Sequence, residues 1–99
     1  MSESTVHVIA RITARPDTVT ALRAVLEALL APTRQEFGCH RYRLLQNRND
    51  LTDFTVIEEW ANEAAIDAHM QAAHVQHALA QAAELLAAAP AIQRYTLLA

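Results

Sequence analysis

Phe54-Thr55-Val56-Ile57-Glu58-Glu59-Trp60-Ala61-Asn62-Glu63 is the stretch on which the fold turns. Its first seven residues are rich in β-branched and aromatic side chains, and the alternation puts Phe54, Val56, Glu58 and Trp60 on one face of a strand. Asn62 then suits an N-cap and Glu63 suits the positive end of a helix dipole, so a helix follows at once. Upstream, Arg48-Asn49-Asp50 is a turn cluster and Cys39 to Asn47 reads as another strand, which makes a hairpin. Thr5 to Thr13 alternates as a first strand, with Val6, Val8, Ala10 and Ile12 on one face. Arg15-Pro16-Asp17 opens a helix whose stripe is Val19, Leu22, Leu26, Leu29 and Leu30. Pro32 kinks or ends that helix, and Gly38 stops it.

Downstream of Asn62 the chain is Ala-rich and helical, but its apolar stripe changes phase. Ala65, Ile66, His69 and Met70 form one stripe, and Val75, Leu79, Ala82 and Leu86 form another on the opposite side of a straight helix. A break near 71–74 is therefore predicted. Pro90 ends the second segment and Ile92 to Leu98 reads as a fourth strand. The order β-α-β-β-α-β, closed with right-handed crossovers, is a ferredoxin-like α+β arrangement: a four-stranded antiparallel sheet with helices on one face. All 99 residues belong to a single domain. His7, Ile9, Leu44, Phe54, Val56 and Leu98 exceed what two helices can cover, so a second copy is expected on the other sheet face, giving a homodimer.

Composition removes several function classes. A net charge of −3 argues against a nucleic-acid partner. The acidic start at Met1-Ser2-Glu3 and the lack of a long apolar run argue against a leader or a membrane span and for a cytoplasmic protein. A lone cysteine, Cys39, excludes a disulfide framework and a thiolate zinc site. With one glycine there is no phosphate-cradling loop and no nucleotide fingerprint. Histidine spacings of five (His69, His74) and three (His74, His77) suit zinc poorly, so neither metal nor cofactor is expected.

The chemistry-bearing residues are few. Glu58 on a central strand, among Phe54, Val56 and Trp60, is a carboxylate whose pKa desolvation raises, the route to a general base near neutral pH. Ion pairing of Glu58 with Arg11 or Arg43 is the competing structural role, and Glu59 faces the other way. His69 sits on an apolar helical stripe and His74 at the helix break.

Pro32-Thr33-Arg34-Gln35-Glu36-Phe37-Gly38-Cys39-His40-Arg41-Tyr42 and the run from Phe54 to His74, with Glu58, Trp60, Ala65, His69 and His74 at its fixed points, resemble the two landmarks of the antibiotic biosynthesis monooxygenase family. The resemblance implies a dimeric α+β barrel and small oxygenases that act on quinols or anthrones with O2, using neither metal nor flavin. Carried over by position, Glu58, Trp60, His69 and His74 line a cavity between sheet and helices, with Tyr42 and Cys39 nearby. Anthrone-oxidising relatives carry an Asn one turn of pleat before the Trp, a region where this chain has Val56, and haem-degrading relatives use an Asn in a first strand that has none here. On this basis Glu58 or His69 removes a substrate proton, and Trp60, His74, Tyr42 and Phe54 contact an aromatic substrate. The same base could serve an isomerase of a small carbonyl compound, and the same pocket a dimeric protein that only binds a small ligand.

Overall fold

Burial along the central strand follows the pleat: Phe54, Val56, Glu58 and Trp60 are buried, and the residues between them are half-exposed. The computed structural model describes residues 4–99, so Met1, Ser2 and Glu3, read above for a leader, lie outside the described residues. Its elements are β1 (Val6–Thr13), α1 (Val19–Glu27), α2 (Leu30–Arg34), β2 (Cys39–Gln46), β3 (Asp53–Trp60), α3 (Glu63–Gln71), α4 (Ala73–Ala82) and β4 (Ala91–Tyr95). The strands form one antiparallel sheet in the order β2-β3-β1-β4. This is the ferredoxin-like α+β fold. Among the described residues, no helix is long and apolar enough to cross a membrane.

The helices differ from the sequence reading in three places. The first helix starts at Val19, because Pro16-Asp17 forms a turn and the Thr18 hydroxyl is spent on the carbonyls of Leu85 (2.6 Å) and Arg15 (3.1 Å). Its break falls at 28–29, before Pro32, whose ring crowds the carbonyl four residues back, that of Ala28. The last helix ends at Ala82 rather than at Pro90, because Leu85 and Ala87 bond to Arg15 and Thr13 and draw the chain against the end of β1. The break between α3 and α4 falls at Ala72, which is extended (φ −63°, ψ 144°) and lies within the expected 71–74. Asn62 caps α3 as expected, its Oδ1 accepting the Ala65 N–H at 2.9 Å.

The sheet faces also need correction. Phe54 and Val56 lie under the helices, as does Leu44, which is paired with Val56. The outer face instead carries His7, Ile9, Arg41, Arg43, Leu45, Ile57, Glu59 and Tyr95, following the register of the four strands. Leu98 lies beyond β4, which ends at Tyr95 rather than at residue 98.

One irregularity sets up the site. Cys39 pairs with Trp60 and Arg41 with Glu59, so His40 is an extra residue in β2. This bulge reverses the alternation. Cys39 and Tyr42, three apart, consequently share the inner face with Trp60 and Glu58. Gly38, at φ +81°, makes the turn into β2, and a Cβ there would stand 2.8 Å from the Ala65 methyl.

Candidate active site

The inner face of the sheet and the helices above it enclose a cavity of about 70 Å³. Its wall is apolar except for three side chains: Tyr42 from β2, Glu58 from β3 and His69 from α3. The break at Ala72 explains how one cavity uses both helical stripes. Ile66, His69 and Met70 of the first stripe and Val75, Leu79, Ala82 and Leu86 of the second all reach its wall. On one straight helix the two sets would face opposite ways.

Glu58 is 5% exposed and accepts a 2.8 Å hydrogen bond from the Trp60 indole N–H on Oε1. Its Oε2 has no hydrogen-bond partner among the described residues. Burial pushes the Glu58 carboxyl above the ordinary carboxylate value, against the Trp60 hydrogen bond and the nearby His69, which lower it. Among the described residues Glu58 makes neither competing ion pair: Arg11 pairs with Asp53 at 3.2 Å, and Arg43 stands on the outer face opposite Ile57, where Arg41 pairs with Glu59 at 3.1 Å. Tyr42 is pushed well above the usual phenol range, first by burial and then by the charge of Glu58, so its hydroxyl keeps its proton. Cys39 is raised too, by burial and by Glu36 and Glu58, which disfavours the thiolate a nucleophile needs.

His69 lies at the centre of the cluster. Its ring stands 4.8 Å from Trp60 and 5.7 Å from Tyr42, centroid to centroid. Its Nδ1 is 2.6 Å from Oε2 of Glu36, and Nε2 of His74 is 2.9 Å from that same oxygen. Glu36, in the turn after α2, was given no task by the sequence reading. The signal available was two histidines spaced across a helix break, both short of a polar partner, with a carboxylate in the preceding landmark.

The structure thus brings Glu58, Trp60, His69, His74 and Tyr42 into one neighbourhood but gives them different surroundings. Tyr42, Glu58 and His69 touch the cavity; Trp60 and Phe54 are packed behind its wall, and His74 sits outside it beside Glu36. Glu36, His69 and His74 also hold three potential metal-ligating atoms within 4.8 Å of one another. The two ring nitrogens stand 2.6 and 2.9 Å from one Glu36 oxygen, hydrogen-bond lengths that are shorter than the roughly 3.3 Å between two ligand atoms of one tetrahedral zinc ion.

A ferredoxin-like sheet carrying a buried carboxylate, imidazole and phenol in the wall of an otherwise apolar cavity defines the class of fold and site. Residues 5–81 match the family model described as antibiotic biosynthesis monooxygenase, and the chain belongs to that family. It is 41% identical to "Putative monooxygenase Rv0793" of Mycobacterium tuberculosis over 84% of this chain and 81% of that one. The solved structure of Rv0793 superposes with a TM-score of 0.91 over 97% of both chains. The crystal structure of PA3566 from Pseudomonas aeruginosa, 36% identical, gives a TM-score of 0.91 over 97% of this chain and 96% of that one. "Putative monooxygenase YcnE" of Bacillus subtilis is 30% identical over 80% of this chain and 83% of its own.

Proposed function

We propose that this chain is a monooxygenase that oxidises a small electron-rich aromatic of the quinol type with O2, without metal or flavin, using Glu58 as its base. The observation that carries the reading is Glu58 itself, a buried carboxylate in the wall of an apolar cavity, with one oxygen held by Trp60 and the other without a partner among the described residues. A raised pKa makes it a competent proton acceptor near neutral pH.

The chemistry balances as quinol plus O2 giving hydroxyquinone plus water. Glu58 takes the phenolic proton, and the phenolate passes one electron to O2. The resulting radical pair joins at a ring carbon to form a C–O bond, and Glu58 returns its proton to the distal peroxide oxygen. A second acceptor, His69, then removes the proton on that carbon. The freed electron pair forms the new carbonyl, the O–O bond breaks, and the departing hydroxide takes the proton from His69 to leave as water. Tyr42, still protonated, donates to the oxygen where negative charge gathers. Trp60 acts through Glu58 by holding it.

The cavity favours one ring over three. An apolar cavity of about 150 Å³ holds benzene, so a space of about 70 Å³ must widen even for a quinol. Leu79 and Ile92, 39% and 43% exposed, form the part of the wall nearest solvent. The exposed outer-face residues Ile9, Leu45 and Tyr95 seat a second copy in this reading. The unpaired thiol of Cys39 suits a reducing cytoplasmic setting.

The test is O2 uptake with a panel of hydroquinones, under air and under argon, with chelator present. Glu58→Gln is expected to lower kcat by about 10²–10⁴-fold. Undiminished uptake by that variant removes Glu58 as the base. Turnover of a small carbonyl compound under argon would assign the same cavity to isomerisation. Thermal stabilisation by hydroquinone without any turnover would make the protein a binder.

A further inference from the structure

We propose that Glu36, clamped by His74, is a positioning residue that fixes His69 in the tautomer whose Nε2 offers its lone pair to the cavity. The inference rests on the preceding reading for its place in a reaction, and on geometry alone for the tautomer.

An ionised carboxylate only accepts hydrogen bonds. Oε2 of Glu36 meets Nδ1 of His69 at 2.6 Å and Nε2 of His74 at 2.9 Å, so each imidazole donates an N–H to it. A neutral imidazole that donates through Nδ1 carries its lone pair on Nε2. His69 is 4% exposed and lines the cavity, whereas Glu36 does not, so its two nitrogens serve different surroundings. Nε2 has no hydrogen-bond partner among the described residues. It is therefore the nitrogen placed to take and return the carbon-bound proton.

The second donor is what makes Glu36 a clamp. A glutamate held by one contact could rotate away, but the same oxygen is pinned from α3 by His69 and from the start of α4 by His74. The helix break at Ala72 is what lets histidines five apart converge on one atom. His74, with 28% of its side chain exposed, is the solvent end of this arrangement. The logic is that of a buried carboxylate orienting a catalytic imidazole, assembled here from a turn and two short helices.

The tautomer is read directly by two-bond ¹H–¹⁵N NMR of ¹⁵N-histidine-labelled protein at pH 8, with no substrate. His69 is expected to carry its proton on Nδ1 and none on Nε2; the reverse pattern overturns the proposal whether or not any variant folds. In Glu36→Gln the His69 pattern is expected to become a mixture. Its kcat for hydroquinone is expected to fall about 10–100-fold, the usual cost of losing an orienting partner, with KM little changed. Glu36→Asp, which keeps the carboxylate, should recover part of the loss. Wild-type turnover in Glu36→Gln overturns the positioning role. So does a stoichiometric metal ion in the purified protein that is absent from Glu36→Gln, since the three side chains would then be ligands. If wild-type protein leaves hydroquinone untouched but shows the expected tautomer, the proposed reaction fails and the clamp stands.

Discussion

Replacing Trp60 by Phe removes one hydrogen bond and a small part of a fully buried ring, and both losses can be sized. Trp60 has no exposed surface, and its indole N–H donates to Glu58 Oε1 at 2.8 Å. Taking the donor from a buried ionised carboxylate costs about 1.5–3 kcal/mol. The void left by the missing indole edge adds roughly 1 kcal/mol at about 24 cal/mol per Å³. Trp60→Phe should thus destabilise the fold by about 2.5–4 kcal/mol at pH 7, a large share of the ~5–15 kcal/mol of a typical domain. Trp60 is the sole tryptophan, so urea unfolding is followed by circular dichroism rather than fluorescence. Combining Trp60→Phe with Glu58→Leu, which has no acceptor, isolates the bond, and the cycle is expected to give a coupling of at least about 1 kcal/mol. The Trp60 bond also lowers the Glu58 pKa, so its loss should move the acid limb of kcat/KM to higher pH. A cost below about 1 kcal/mol with no coupling would mean that the pair does not hold in solution, and the argument for a poised Glu58 would go with it.

The acid limb of wild-type kcat/KM is expected above the ordinary carboxylate value of 4.5, because burial raises the Glu58 pKa. Between the unfolded and folded pKa values the native state holds a proton that the unfolded chain has released, so stability should fall as pH rises through that window, and Glu58→Gln should flatten the slope in urea titrations. Gly38→Ala should cost about 2–4 kcal/mol, from positive φ and from a Cβ only 2.8 Å from the Ala65 methyl; Ala65→Gly in the same chain should recover the steric part alone. The outer sheet face predicts a dimer, and a folded monomer at micromolar concentration by light scattering would leave Ile9, Leu45 and Tyr95 without the second copy assigned to them.

The strand period and the two helical phases were legible in the sequence because each is a local pattern with a local cause. The α3–α4 break needed neither glycine nor proline to be seen: two stripes facing opposite ways cannot both reach one core. What was hidden depended on partners far along the chain. Thr18 bonds Leu85, and this decides where α1 begins. The His40 bulge decides which way Cys39 and Tyr42 face, and no composition rule places an extra residue there. Alternation alone leaves open which sheet face Phe54 and Val56 take, because their parity relative to β1 is a matter of register, which pairing alone fixes. Glu36 lies 33 residues from His69 and 38 from His74, beyond the reach of any spacing argument.

Glu58 and Glu59 show how much of the chemistry is register. They are the same residue type at adjacent positions, yet Glu58 is buried against Trp60 while Glu59 is bonded to Arg41 on the outer face. A slip of β3 by one residue would exchange them, placing Glu59 under the helices and Trp60 in the outer layer. Both ends of the strand are held against that slip. At one end the Ala61 N–H donates to the Gly38 carbonyl at 2.8 Å; at the other the Asn47 N–H donates to the Asp53 carbonyl at 2.9 Å and the Asn47 amide to Asp53 Oδ2 at 3.1 Å. The β2 bulge lies between these clamps, so the extra residue is taken up inside β2 without shifting β3. Gly38 is therefore tied to the base in two ways. Its positive φ turns the chain into β2, and its carbonyl takes the Ala61 N–H just past the end of β3, three residues beyond Glu58, the partner of the Trp60 indole.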